Sequence, residues 1–218
     1  MRFFKLRTMN WKYILGEILL IFVGINLAIW FNDWNSSKII QNDKEVALTK
    51  IKEEVQNNLG QLLSSQEQNQ RIPQFYMELD SLMNEEDELV LDSKVMKDFS
   101  SKYENFFTAI DSIPNGDGKY IYEGDTFINL DITDLSSIAW DISKSTGIFH
   151  EFGFDCLYQM QGMYNTQELV KTELRKATEA LRNKSMDDLV RILSFMNQLE
   201  EQLEEQYRNM IANIDNCK

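Results

Sequence analysis

Apolar positions along this chain fall into two regimes. From residue 14 to residue 31 they form an almost continuous run, interrupted only by Gly16, Glu17, Gly24 and Asn26. At about 1.5 Å of rise per residue a helix of this length covers roughly 27 Å, the hydrocarbon thickness of a bilayer. Trp11, Tyr13, Trp30, Phe31 and Trp34 stand at its two ends, where interfacial aromatics belong. The run is expected to cross a membrane. Beyond residue 34 the apolar positions become periodic: Leu48, Ile51, Val55, Leu59 and Leu62 recur at steps of three and four, which predicts a long amphipathic helix over residues 35–72. No Pro or Gly separates it from the apolar run, so the two can be continuous. Pro73 is expected to end or kink it, with a second helical stretch over residues 74–83.

Asn84-Glu85-Glu86-Asp87-Glu88 reads as a solvated connection, and Asp92 as the cap of a helix running through Phe99 and Tyr103 to Phe107. Turn chemistry at Pro114-Asn115-Gly116-Asp117-Gly118 and β-prone runs at residues 120–122 and 126–128, around Glu123-Gly124-Asp125, predict a short β-hairpin within residues 110–131. Asp134 is expected to cap a helix over residues 135–145, stopped by Thr146-Gly147. Two further helices, residues 165–183 and 185–213, follow either side of the Asn183-Lys184-Ser185 turn. In the last one Leu189, Ile192, Met196, Leu199, Leu203, Tyr207, Met210 and Ile214 suggest a coiled-coil seam. The acids Glu200, Glu201, Glu204 and Glu205 read as its flanks and suit antiparallel packing within a bundle. The fold class is therefore mainly α: one N-terminal transmembrane helix, then an extracytoplasmic helical bundle with a short β-hairpin insertion. Its parts are a basic tail (1–12), a signal anchor (13–33) and an acidic helical domain (34–218).

Charge orients the helix. Arg2, Lys5, Arg7 and Lys12 precede the run with no acid among them, whereas Asp33 and Asp43 outnumber Lys38 just after it. This bias keeps the amino end in the cytoplasm and sends the rest outward, into the periplasm if the membrane is a bacterial inner membrane. A cleaved signal peptide fits less well, because Asn26 occupies the third-last position before the obvious cut after Ala28. Residues 1–32 hold four of the 22 basic and one of the 35 acidic residues, which leaves 18 against 34 and a net charge near −16 outside. Such a surface repels nucleic acid and anionic lipid.

Within the span, Glu17 shares a helix face with Tyr13, Ile21, Gly24 and Ala28, and Gly24-xxx-Ala28 is the spacing that lets two helices approach closely. Glu17, Gly24 and Ala28 are the candidate association face; Glu17 can also snorkel to the headgroups or line an ion path. Asn26 points the opposite way.

Chemistry is sparse. His150 is the one histidine, and no CxxC, HExxH, GxSxG or phosphate-cradling glycine loop occurs. An EF-hand frame with Gly118 at its sixth position puts Ile113 first and Gly124 twelfth, where carboxylates should stand, leaving only an irregular site through Asp111, Asp117 and Glu123. No metal, cofactor or enzymatic activity is expected. Cys156 and Cys217 could close a loop of about sixty residues in an oxidising compartment; the alternative, slightly favoured by their contexts, is a buried apolar Cys156 and a free Cys217. Phe149, Phe152, Phe154, Tyr158 and Tyr164 form the most aromatic stretch, read as core or as a ligand pocket.

Lys12-Tyr13-x-x-Gly16-Glu17-Ile18, Gly24-Ile25 and Asn32-Asp33-Trp34-Asn35 resemble the amino-terminal signature of single-pass membrane proteins of unknown function from Bacteroidota, as do Ala139-Trp140-Asp141-x-x-Lys144-x-Thr146-Gly147 and the Phe154-Asp155 and Tyr164-Asn165-x-Gln167 segments. The resemblance implies a bacterial inner-membrane protein with a periplasmic helical domain, and no activity carries over. The function expected is that of a membrane-anchored interaction or scaffold protein, self-associated or joined to another membrane or periplasmic protein. A ligand sensor is the alternative; with so short a cytoplasmic tail it would signal through another membrane subunit. A third reading is an ion-coupled subunit that uses Glu17.

Overall fold

A computed structural model describes residues 11–217. Its axis is α1, Trp11–Leu82, a single helix of 72 residues and about 108 Å. The helix neither breaks at residues 32–37 nor stops at Pro73, so the separate stretch expected over residues 74–83 is its last part. Pro73 lacks an N–H and leaves the Asn69 carbonyl without its usual partner, but packing on both sides of it, with Ile72 and Phe75 buried, carries the helix through. The apolar part of α1 is long and apolar enough to span a membrane, and none of the described residues covers it.

From Lys44 onward α1 enters a three-helix bundle with α4, Phe154–Arg182, and α5, Met186–Asn213. Helix α5 runs antiparallel to α1. Its end bonds low on α1, Lys52 to Asp215 at 2.7 Å; its middle bonds higher, Gln66 to Asn197 at 3.1 Å; its start shares a cavity with Tyr76 and Met83. Helix α4, turned back at residues 183–185, is parallel to α1. Each helix buries a seam at alternating steps of three and four. On α1 it is Leu48, Ile51, Val55, Asn58, Leu62, Ser65, Asn69 and Ile72; on α4, Cys156, Met160, Met163, Gln167, Val170, Leu174 and Ala177. On α5 it is Leu189, Leu193, Met196, Glu200, Leu203, Tyr207 and Met210, continued by Ile214 just past the helix end. The expected α5 seam is thus corrected at two positions: Leu193 and Glu200 are buried, and Ile192 and Leu199 sit beside them, half-buried.

A smaller layer closes the far end of α1. Strand β1, Leu89–Asp92, leads into α2, Ser93–Lys102, which ends five residues short of the expected Phe107 because a 3-10 turn, Glu104–Phe106, starts the next strand. Phe75 of α1 stacks on Phe99 and Phe106, with ring centroids 5.7 and 4.6 Å apart, and fastens this layer to the helix. Strands β2, Phe107–Pro114, and β3, Lys119–Thr126, form the hairpin, turning through residues 115–118, and β1 adds to make an antiparallel sheet in the order β1-β3-β2. The predicted hairpin is therefore present but shifted: Glu123-Gly124-Asp125 lies inside β3, and residues 127 and 128 lie outside the sheet. Gly124 is required there, since a Cβ would come within 2.9 Å of the Ala109 carbonyl oxygen.

An extended segment and α3, Ile138–Thr146, fill the groove between α1 and α4. The helix starts after Ser137 rather than Asp134, and Gly147, at φ 78°, ends it as expected. Cys156 and Cys217 form a disulfide with Cα atoms 5.5 Å apart, which overturns the free-thiol reading. The apolar context of Cys156 misled: the return of α5 alongside α4 brings Cys217 back beside the start of α4, and the two helix windows taken singly do not show which residues meet there.

Candidate functional site

The predicted association face stands free in the single chain. Gly24 and Ala28 lie on the uncovered part of α1, and a Cβ placed on Gly16 or Gly24 would meet nothing within 4 Å. Glu17 is exposed on the same rod. Asn26 donates from Nδ2 to the Phe22 carbonyl of its own helix at 2.7 Å. Where the apolar run meets the rest of α1, Lys38 Nζ lies 3.9 Å from the centre of the Trp34 ring, an aromatic and cationic pair suited to an interface.

The five aromatic residues read as a pocket are separated. Phe152 and Tyr164 are buried, Phe149 is half-buried against His150, and Phe154 and Tyr158 are 79% and 76% exposed. Tyr164 belongs to the core, stacked on Trp140 at 5.3 Å. Tyr158 lines a groove of about 590 Å³ between α4 and α5. A second cavity, of about 490 Å³, lies where α1 enters the bundle, between Ile40, Val46, Ile142 and Ile148. Among the described residues no three or more of His, Cys, Asp and Glu gather in a metal-binding group, so Asp111, Asp117 and Glu123 do not converge.

The most organised polar structure is interior, and residue spacing did not reveal it. Glu54 of α1 places one carboxylate oxygen, Oε2, at the start of α3, accepting from the Ala139 N–H at 2.9 Å and the Ser136 hydroxyl at 2.8 Å. A carboxylate there meets the unpaired amides and positive end of a helix. Its other oxygen accepts from the Tyr164 hydroxyl at 2.7 Å, and burial first, then Glu54, lifts that phenol above its ordinary range. One turn on, Asn58 clamps Ser136 in both directions, donating to its carbonyl at 2.7 Å and accepting from its N–H at 2.9 Å. Asn69 does the same to Asp131, at 3.0 and 2.9 Å. Gln167 of α4 ties the bundle together at this level: it donates to the Leu135 carbonyl at 3.1 Å and accepts from the Tyr207 hydroxyl of α5 at 2.7 Å. Three seam positions, Asn58, Gln167 and Tyr207, thus form one polar layer. Polar residues at such positions fix the register of packed helices.

Glu200 differs from these. It is 3% exposed, and burial raises its carboxyl to about 7. What this arrangement can do chemically is hold shape. It places no nucleophile beside a base and gathers no ligand set. Comparison with protein-family models, with curated proteins and with solved structures finds no match.

Proposed function

We propose that this protein is a single-pass scaffold of a bacterial inner membrane, amino end in the cytoplasm, whose membrane helix associates through Glu17, Gly24 and Ala28 and whose acidic bundle meets a partner in the periplasm. The observation that carries the reading is the division of α1: among the described residues nothing covers its apolar part, while from Lys44 onward the same unbroken helix is one member of a register-locked bundle. A helix bare in a bilayer needs only lipid, but one with a small-residue face and a carboxylate is equipped for another helix. The disulfide supports an oxidising compartment for the bundle. The resemblance to Bacteroidota single-pass proteins supports the inner membrane. A ligand sensor draws support from the cavity of about 490 Å³ at the foot of the bundle, where α1 itself forms a wall.

Native mass spectrometry of the tagged full-length protein, extracted gently from its own membrane, tests the scaffold. The expected species contains another membrane or periplasmic protein at fixed stoichiometry. Gly24→Ile, which fills the small-residue face, should lower the complexed fraction about tenfold. A species built from this chain alone would overturn the scaffold and direct attention to the ligand cavity. Glu17→Gln separates two roles: loss of assembly marks helix packing, whereas intact assembly with lost function marks ion coupling.

A further inference from the structure

The sheet at the far end of α1 has an open edge. Strand β3 is paired on both sides and β1 is four residues long, but β2 spans eight residues and pairs only with β3. From Thr108 to Pro114 every residue of β2 is exposed, with Ile110 at 38% and Ile113 at 55%. Soluble proteins guard such edges with lysines, prolines, bulges or covering loops. Here the irregularity in pairing is confined to residues 107–109, Pro114 is the last residue of the strand, and the strand contains no lysine. The stretch between them presents unpaired backbone groups to solvent. Beneath it lies a cavity of about 270 Å³, with Leu79, Met83, Met96 and Ile110 on its apolar side and Asp87, Glu88 and Glu123 among its polar lining.

Charge decides what can pair there. Residues 84–92 and 107–126, which make up the connection, β1 and the hairpin, carry nine acids against the single base Lys119. A second copy would bring nine more acids to the same edge, and like charges across paired strands are unfavourable. We propose that β2 is the docking edge of this scaffold, and that it takes an extended, basic segment of a partner protein as a fourth strand, with apolar side chains entering the cavity beneath Ile110. Backbone pairing supplies affinity and side chains on alternate positions supply choice. This assignment rests on the scaffold reading and names its contact surface. The location fits: Phe75, which fastens the sheet, is 44 residues beyond Phe31, so the edge stands about 65 Å of helix away from the membrane run.

The test uses the full-length protein in a lipid nanodisc and a fluorescein-labelled octapeptide of alternating lysine and valine, read by anisotropy and by deuterium uptake. Saturable binding is expected, with slower deuterium uptake in residues 107–114. The same octapeptide built of glutamate and valine should not bind. Neutralising the exposed rim by Asp87→Asn, Glu88→Gln and Glu123→Gln together should weaken binding about tenfold. No binding of the basic peptide at about 1 mM, binding unchanged by the neutralised rim, or protection elsewhere in the chain overturns the assignment. So does disulfide cross-linking between two copies carrying Ile113→Cys together with slow uptake at 107–114 before any peptide is added, since that marks β2 as paired with itself. Failure of the peptide while a partner still appears in the native mass spectrum removes the edge and leaves the scaffold. Absence of any such partner removes the scaffold itself.

Discussion

At Glu200 a heptad position that should be apolar holds a carboxyl, 3% exposed and raised to about 7 by burial. Its folded-state pKa lies above the unfolded value, so the native bundle keeps a proton that the unfolded chain releases. The associated stability is fully present below about pH 4.5, falls as pH rises, and is gone above about pH 7. The difference approaches about 3 kcal/mol, at about 1.4 kcal/mol per pH unit. Glu200→Gln removes the proton dependence; thermal unfolding should show the variant gaining over the wild type at pH 8 and little changed at pH 4. A variant equally shifted at both pH values would contradict this account of the site. Glu54 differs in its partners, since its carboxylate accepts from three donors. Glu54→Ala strands those donors and should cost about 3 kcal/mol in urea unfolding. An equal loss in Glu54→Gln, which keeps one acceptor, would argue against the capping of α3 as its main contribution. Neither residue is conspicuous in the sequence. An acid among acids reads as a solvated flank, and only the packing of α5 between α1 and α4 shows that Glu200 lies inside.

The elements were legible where one period ran long. The apolar run, the amphipathic length of α1, the stop at Gly147 and the turn before α5 all follow from local pattern. The boundaries that differ do so for reasons beyond their own windows. Pro73 passes inside a helix because Ile72 and Phe75 are anchored on either side, and α2 stops early because Phe106 and Phe107 are claimed by the Phe75 cluster. Strand β1, only four residues long, exists because β3 offers it an edge. The seams of α4 and α5 were partly hidden because Gln167 and Glu200 interrupt the apolar series at core positions. The disulfide depends wholly on the return of α5. It closes a loop across 61 residues of sequence separation, for which chain entropy assigns about 4 kcal/mol. Cys156→Ser with Cys217→Ser should lower the stability of the bundle by that order in urea. Thiol titration of the denatured, unreduced wild type should find no free thiol; two free thiols would place the bundle in a reducing compartment.

Taken whole, the molecule is a rod with one bare apolar end and one folded end, joined without a hinge. The continuous α1 puts the sheet about 65 Å along the helix from the apolar run. Its acidic surface repels anionic lipid, and the proposed docking edge draws on the same charge. The proposed scaffold, its oxidised disulfide and its docking edge all require the bundle to lie outside the cytoplasm. The direct measurement is protease accessibility of a carboxyl-terminal tag on the full-length protein, in intact spheroplasts and in inverted membrane vesicles. The account predicts that the tag is removed from intact spheroplasts and protected in inverted vesicles. Protection in spheroplasts with removal from inverted vesicles would place the bundle in the cytoplasm and contradict the scaffold, its oxidised disulfide and its docking edge together.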